Sequence, residues 1–165
     1  MRRLCAALLL FVLAWGCRSE PARELPIETL RLSQLASQGD PARRASLRLC
    51  TDGLRADIEQ RGESARSQYE RAIALDPTNP WAYLVLARHE VAVGDPRRAL
   101  QYVQQAETLL RNEGAFSPGV EPHIEGLRGV ALIASGRPGG EHLRRAAALS
   151  PAVWRDGRLD ADELL

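Results

Sequence analysis

Residues 84–106 read LVLARHEVAVGDPRRALQYVQQA, two helical runs on either side of a Gly-Asp-Pro break. From Trp81 onward, Leu84, Val85, Ala87, Val91 and Ala92 recur at helical spacing, with Arg88 and Glu90 between them. Asn79 is placed to cap this helix, and Pro80 pre-sets the geometry of its first turn. Gly94 can take the left-handed conformation that ends a helix. Asp95 then caps a second helix with Pro96 at its first position. That helix carries Ala99, Leu100, Val103, Ala106, Leu109 and Leu110 on its apolar side. Three residues reverse the chain, so the stretch predicts an antiparallel helical hairpin.

Composition agrees with this hairpin as a building block. The chain has 165 residues, enough for one domain with a substantial core. Aromatic residues make up only 5%, so small and aliphatic side chains must fill the core. Such side chains suit closely packed helices, and no run of alternating β-branched residues argues for strands. The formal net charge is +1, and every basic residue is arginine. No global field recruits nucleic acid or an acidic surface.

The hairpin resembles a tetratricopeptide repeat, a helix-turn-helix of about 34 residues. Tyr83 falls at its first aromatic position, Leu86-Ala87 at its leucine-small pair and Gly94 at its turn. Ala99, Val103 and Ala106 fall on the second helix. Small residues at Ala87, Ala99 and Ala106 let the two helices approach closely. Glu90 departs from the pattern where tyrosine is usual, and Arg111 replaces the closing proline. Upstream, Ala65, Tyr69, Ala72, Leu75 and Asp76-Pro77 match the second helix of another unit. Its first helix matches poorly, with Asp52 where leucine is expected, and 41–60 reads as one long helix. Downstream, 124–134 forms a first helix with Gly129 at the small position. Gly136-Arg137-Pro138 repeats the turn, and Leu143, Ala146 and Leu149-Ser150-Pro151 supply a second helix one residue short of the pattern. The turn-rich loop 112–119 accounts for the extra length between units. Residues 27–38 read as one further helix, closed by Gly39-Asp40-Pro41. Trp154, Leu159, Leu164 and Leu165 read as a short capping helix, begun by Asp160, over the end of the array.

The first residues stand apart. Met1-Arg2-Arg3 is a basic start, and 4–14 is an apolar run too short to span a bilayer comfortably. It ends in Leu13-Ala14-Trp15-Gly16-Cys17, which resembles a bacterial lipoprotein signal in which Cys17 becomes the lipidated first residue. Trp15 departs from that pattern, which prefers a small or aliphatic residue there. An ordinary secretory leader also fits, because Ala14-x-Gly16 satisfies the small-residue cleavage rule. By resemblance to the enteric sorting rule, Arg18 directs the protein to the outer membrane, facing the periplasm; a soluble periplasmic or secreted protein is the alternative. With Cys5 in the leader and Cys17 lipidated, Cys50 is left without a disulfide partner and reads as a small buried hydrophobe. The organisation expected is a signal peptide over 1–16, a tether over 17–26, a repeat domain over 27–151 and a capping segment over 152–165. The fold class implied is all-α, a short right-handed helical-repeat solenoid.

Function would sit in the groove that first helices line in such arrays. By that resemblance Trp81, Leu84, Arg88, Val91 and Ala92 line the groove of the central unit, and His123 lines the next part. A guanidinium beside an apolar wall suits a peptide carrying a carboxylate. Arg88 equally suits an intramolecular pair, and Trp81 suits packing against the preceding repeat. If Arg88 works in an open groove, Arg88→Glu abolishes partner capture with little effect on melting. Chemistry is not signalled: His89-Glu90 lacks the second histidine of a zinc helix, and the three histidines lie far apart. Ser117 and Ser135 have no organised His-Asp company, and Asp156, Asp160 and Asp162 lack calcium-loop spacing. The sequence therefore predicts a non-enzymatic adaptor for a protein or peptide partner. It reads as attached to the membrane through its N-terminal lipid, without cofactor, metal, nucleic acid or small-molecule substrate. A self-associating solenoid and an envelope hydrolase are the rival readings.

Overall fold

The computed structural model describes residues 29–165. Among them there are eight α-helices, one 3₁₀ turn and no strand. The helices are α1 (Pro41–Ile58), α2 (Gly62–Leu75), α3 (Pro80–Val93), α4 (Pro96–Asn112), α5 (Glu121–Ala134), α6 (Gly140–Leu149), α7 (Pro151–Trp154) and α8 (Ala161–Leu164). α1 packs on α2, α3 on α4 and α5 on α6, giving three hairpins. Successive hairpins join through α2 with α3 and α4 with α5. α1 also touches α3, and α3 touches α5, so the three first helices share one face. This is an all-helical solenoid of tetratricopeptide-like units.

Local sequence sets the helix starts. The Asp40 carboxylate accepts from the Arg43 amide at 2.8 Å, Asn79 from the Trp81 amide at 3.1 Å and Asp95 from the Arg98 amide at 3.1 Å. Each of these helices begins with proline, whose missing N–H costs nothing at that position. Gly94 ends α3 in the left-handed region, at φ 85°. α3 is buried on most of its circumference because it is the middle first helix, packed against α1, α2, α4 and α5. α4 buries only Ala99, Val103, Ala106 and Leu110, one stripe that faces its partners.

The first hairpin is a fuller repeat than its sequence suggests. Gln60 has φ 58° and is the only non-glycine with positive φ among the described residues. It stands 34 residues before Gly94, one repeat length. Gly53 stands the same distance before Ala87, and a Cβ there would lie 2.3 Å from the Tyr69 ring. α1 and α2 therefore make the close contact that a small residue permits. In the third unit, Gly129 takes this role against Leu143 and Gly139. Gly136 is left-handed like Gly94, but α6 starts only at Gly140, so Pro138 does not open that helix. The inward positions, buried Gly139, Ala146 and Ser150 with half-buried Leu143, sit two residues closer to their turn than the matching set on α4.

Two expectations for the ends change. In place of a helix over 27–38, the described part, from Thr29, holds only the 3₁₀ turn Leu32–Leu35. Its backbone bonds outward instead: the Leu30 amide donates to the Gly119 carbonyl at 3.1 Å, far along the chain. The C-terminal residues likewise do not simply cover the last hairpin. α7 packs on α6, but α8 packs on α1, at the opposite end of the array.

Candidate functional site

Of the groove residues expected from sequence, Trp81 lines a cavity with Leu30, Leu35 and Leu47, and Arg88, Val91 and Ala92 line another with Leu127 and Trp154. Leu84 and His123 are fully buried, Trp81 and Arg88 nearly so, and Val91 is half-buried. Ala92 is exposed. The covering groups are the chain's own two terminal segments. Leu32 and Leu35 of the N-terminal segment join the same apolar core as Leu47 and Trp81. Trp154, Leu159, Ala161 and Leu164 of the C-terminal segment join that core as well.

Trp154 is seated by an absence. A Cβ on Gly126 of α5 would lie 2.3 Å from the indole, so only glycine leaves room for it there. Gly126 is 42 residues after Leu84, as Gly136 is after Gly94, so it occupies the third unit's version of a groove position. Beside Trp154, a cavity of about 230 Å³ is lined by Arg88, Val91, Leu127, Arg158 and Leu159.

Arg88 does not reach freely into this space. Its Nη2 donates to Asp57 at 2.6 Å, and both side chains are more than nine-tenths buried. The same carboxylate accepts from His89 Nδ1–H at 2.9 Å and from the Tyr69 hydroxyl at 2.9 Å. Burial works against ionisation of Asp57, but the His89 hydrogen bond, the Arg88 charge and the Tyr69 bond prevail and hold it below the usual carboxylate range. The cluster ties α1, α2 and α3 together. The expectation that Arg88→Glu leaves melting nearly unchanged is therefore corrected: it would set a second carboxylate against buried Asp57. Glu90, the departure from the repeat pattern, is fully buried and accepts from Arg66 Nη2 at 2.5 Å, linking α2 to α3.

His123 is held neutral. Its Nε2–H donates to the Leu30 carbonyl at 3.2 Å, and Nδ1 is buried without a partner. Burial lowers its pKa from 6.5 to about 4, against the opposing effect of the Leu30 bond. It serves the docking of the N-terminal segment in this structure. Cys50 is fully buried, and burial pushes its thiol pKa up. Cys17, the leader and the tether lie outside the described residues.

Sequence did not indicate that Arg88, Tyr69 and His89 converge on Asp57, because the four residues come from three helices and no spacing announces them. Gly126 was a readable signal, a glycine inside a helical run, without a visible occupant. Among the described residues no cluster of His, Cys, Asp or Glu is arranged to hold a metal ion, and no helix is long and apolar enough to cross a membrane.

Residues 58–115 match the model of the tetratricopeptide repeat family. The match begins at the end of α1 and takes in α2, α3 and α4. Repeats of this kind generally mediate protein–protein interaction. No curated protein and no solved structure matches the chain.

Proposed function

We propose that the protein is a lipid-anchored adaptor of the bacterial cell envelope that holds a segment of a partner protein on the face shared by α1, α3 and α5. The observation that carries this reading is the tetratricopeptide match over 58–115, in a chain whose first helices lie side by side. Trp81, Leu84, Arg88, Val91 and His123 are the proposed partner-facing residues, mixing apolar walls with one guanidinium. The anchor is inferred from Leu13-Ala14-Trp15-Gly16-Cys17, and placement on the periplasmic side of the outer membrane from Arg18. A role in assembling an envelope complex would follow from such a tether, by analogy alone.

The groove is tested by photo-crosslinking in intact envelopes. A photo-reactive residue at half-buried Val91 should give a discrete adduct, and one at exposed Gln101 on the opposite side should not. Adducts from Gln101 alone would move the binding surface to the convex side. The anchor is tested by fractionation: Cys17→Ser should leave the membrane fraction. Retention of that variant would contradict lipid attachment.

A further inference from the structure

We propose that residues 151–165 act as a built-in ligand of the concave face, standing in for a partner segment of the same chemistry. This rests on the reading of that face as the binding surface. The segment holds its place as a docked peptide would. Trp154 fills the slot above Gly126, Leu159 is buried beside the Arg88 cavity, and Ala161 and Leu164 are buried where α8 meets α1. Among the described residues, every hydrogen bond made by residues 151–165 stays within that segment or goes to Ser150. None of its charged groups pairs with α1–α6. Apolar contact alone holds it.

The fit is also incomplete. Arg88 Nε and Trp154 Nε1 are both buried without a hydrogen-bond partner. Leaving buried donors unsatisfied is unfavourable, and a ligand with an acceptor opposite Arg88 would satisfy one of them. α7 and α8 are four residues each, too short to persist as helices once undocked. A displaced segment would therefore leave as a flexible strand and expose the groove.

These features specify the occupant. It is a foreign segment with an aromatic anchor for the Gly126 slot and a leucine five residues on, as Leu159 follows Trp154. A leucine-bearing helical turn would lie over α1, and at least one carboxylate would meet Arg88. Arg48 and Arg55 line the α1 side near Leu165, with Asp52 between them, and the native segment sets Asp156, Asp160, Asp162 and Glu163 against Arg155 and Arg158.

The test uses the full chain and a labelled peptide, PAVWRDGRLDADELL, copying residues 151–165. In Trp154→Ala, trypsin should cut at Arg155 and Arg158 about tenfold faster while the repeat helices persist. The peptide should bind this variant about tenfold more tightly than it binds the parent, whose groove is occupied. Cooperative loss of all helical signal in the variant, or equal peptide binding by both, would overturn the proposal. Hydrogen exchange on the unaltered chain gives a second reading: amides of α8 should exchange about a hundredfold faster than those of Leu84–Arg88. Equal protection would make the segment part of the core and overturn the proposal. A dimer in which each copy protects the other's segment would also overturn it, since the occupant would be a second copy. Failure here with a Val91 crosslink intact would remove only the built-in ligand. Peptide binding without any Val91 crosslink would remove the adaptor reading.

Discussion

Asp57 is a junction of buried charge, because three partners from two other helices converge on it. Replacing Asp57 with Asn leaves Arg88 buried beside a neutral group. Breaking a buried pair in this way costs about 3–5 kcal/mol, which a urea titration of Asp57→Asn against the parent should show as a lower midpoint with unchanged slope. His123 sets a pH dependence of opposite origin. Its folded pKa of about 4 lies below its ordinary 6.5, so as pH falls the unfolded chain binds the proton first. Stability is intact above about pH 6.5 and declines toward pH 4, by about 3 kcal/mol at the end of that window. His123→Gln should flatten the decline, as followed by melting temperature at pH 7 and pH 5. An undiminished slope would place the responsible group elsewhere. The stabilisation from Asp57 is lost separately, as pH falls below the ordinary carboxylate range.

At the scale of the element, the α3–α4 hairpin was legible because every step has a local signal. Asn79-Pro80 starts one helix, Gly94 stops it, and Asp95-Pro96 starts the next. The α1–α2 hairpin repeats the geometry with weaker letters: Gln60 adopts the left-handed turn that Gly94 adopts, so its turn is hidden in sequence. A left-handed backbone costs a non-glycine residue such as Gln60 more than it costs glycine. Gln60→Gly should therefore raise stability by about 0.5–1 kcal/mol. Gly94→Ala, with open space around its Cβ but φ at +85°, should lower stability by about 1 kcal/mol. Thermal melts of both variants check the pair, and effects of the same sign would contradict the shared turn geometry. The 3₁₀ turn was misjudged for the opposite reason. Leu32 and Leu35 are spaced for a helix, but they are buried in the core as part of an element that packs on α1, a contact that no local pattern encodes.

At the scale of the whole molecule, the solenoid and the face shared by α1, α3 and α5 follow from the repeats, and the closing of that face does not. Its cover comes from residues 29–38 and 151–165, which meet over α1 near Ser33, Ala36 and Leu165. Contacts between segments separated by the whole array leave no trace in periodicity, and Gly126, one of two glycines within α5, names no occupant by itself. Closure explains how a chain with so few repeats buries the apolar faces of α1, α3 and α5: its termini supply Leu32, Leu35, Trp154, Leu159 and Leu164 to the core. A tetratricopeptide-like array that carries its own groove occupant is the central claim, and the Trp154–Gly126 contact is its most direct signature. The measurement to make is the nuclear Overhauser effect between the Trp154 indole and the Gly126 α-protons in the unaltered protein. Strong cross-peaks are expected if the C-terminal segment closes the groove. Their absence, with the Trp154 indole N–H exchanging as freely as in a peptide, would contradict the account.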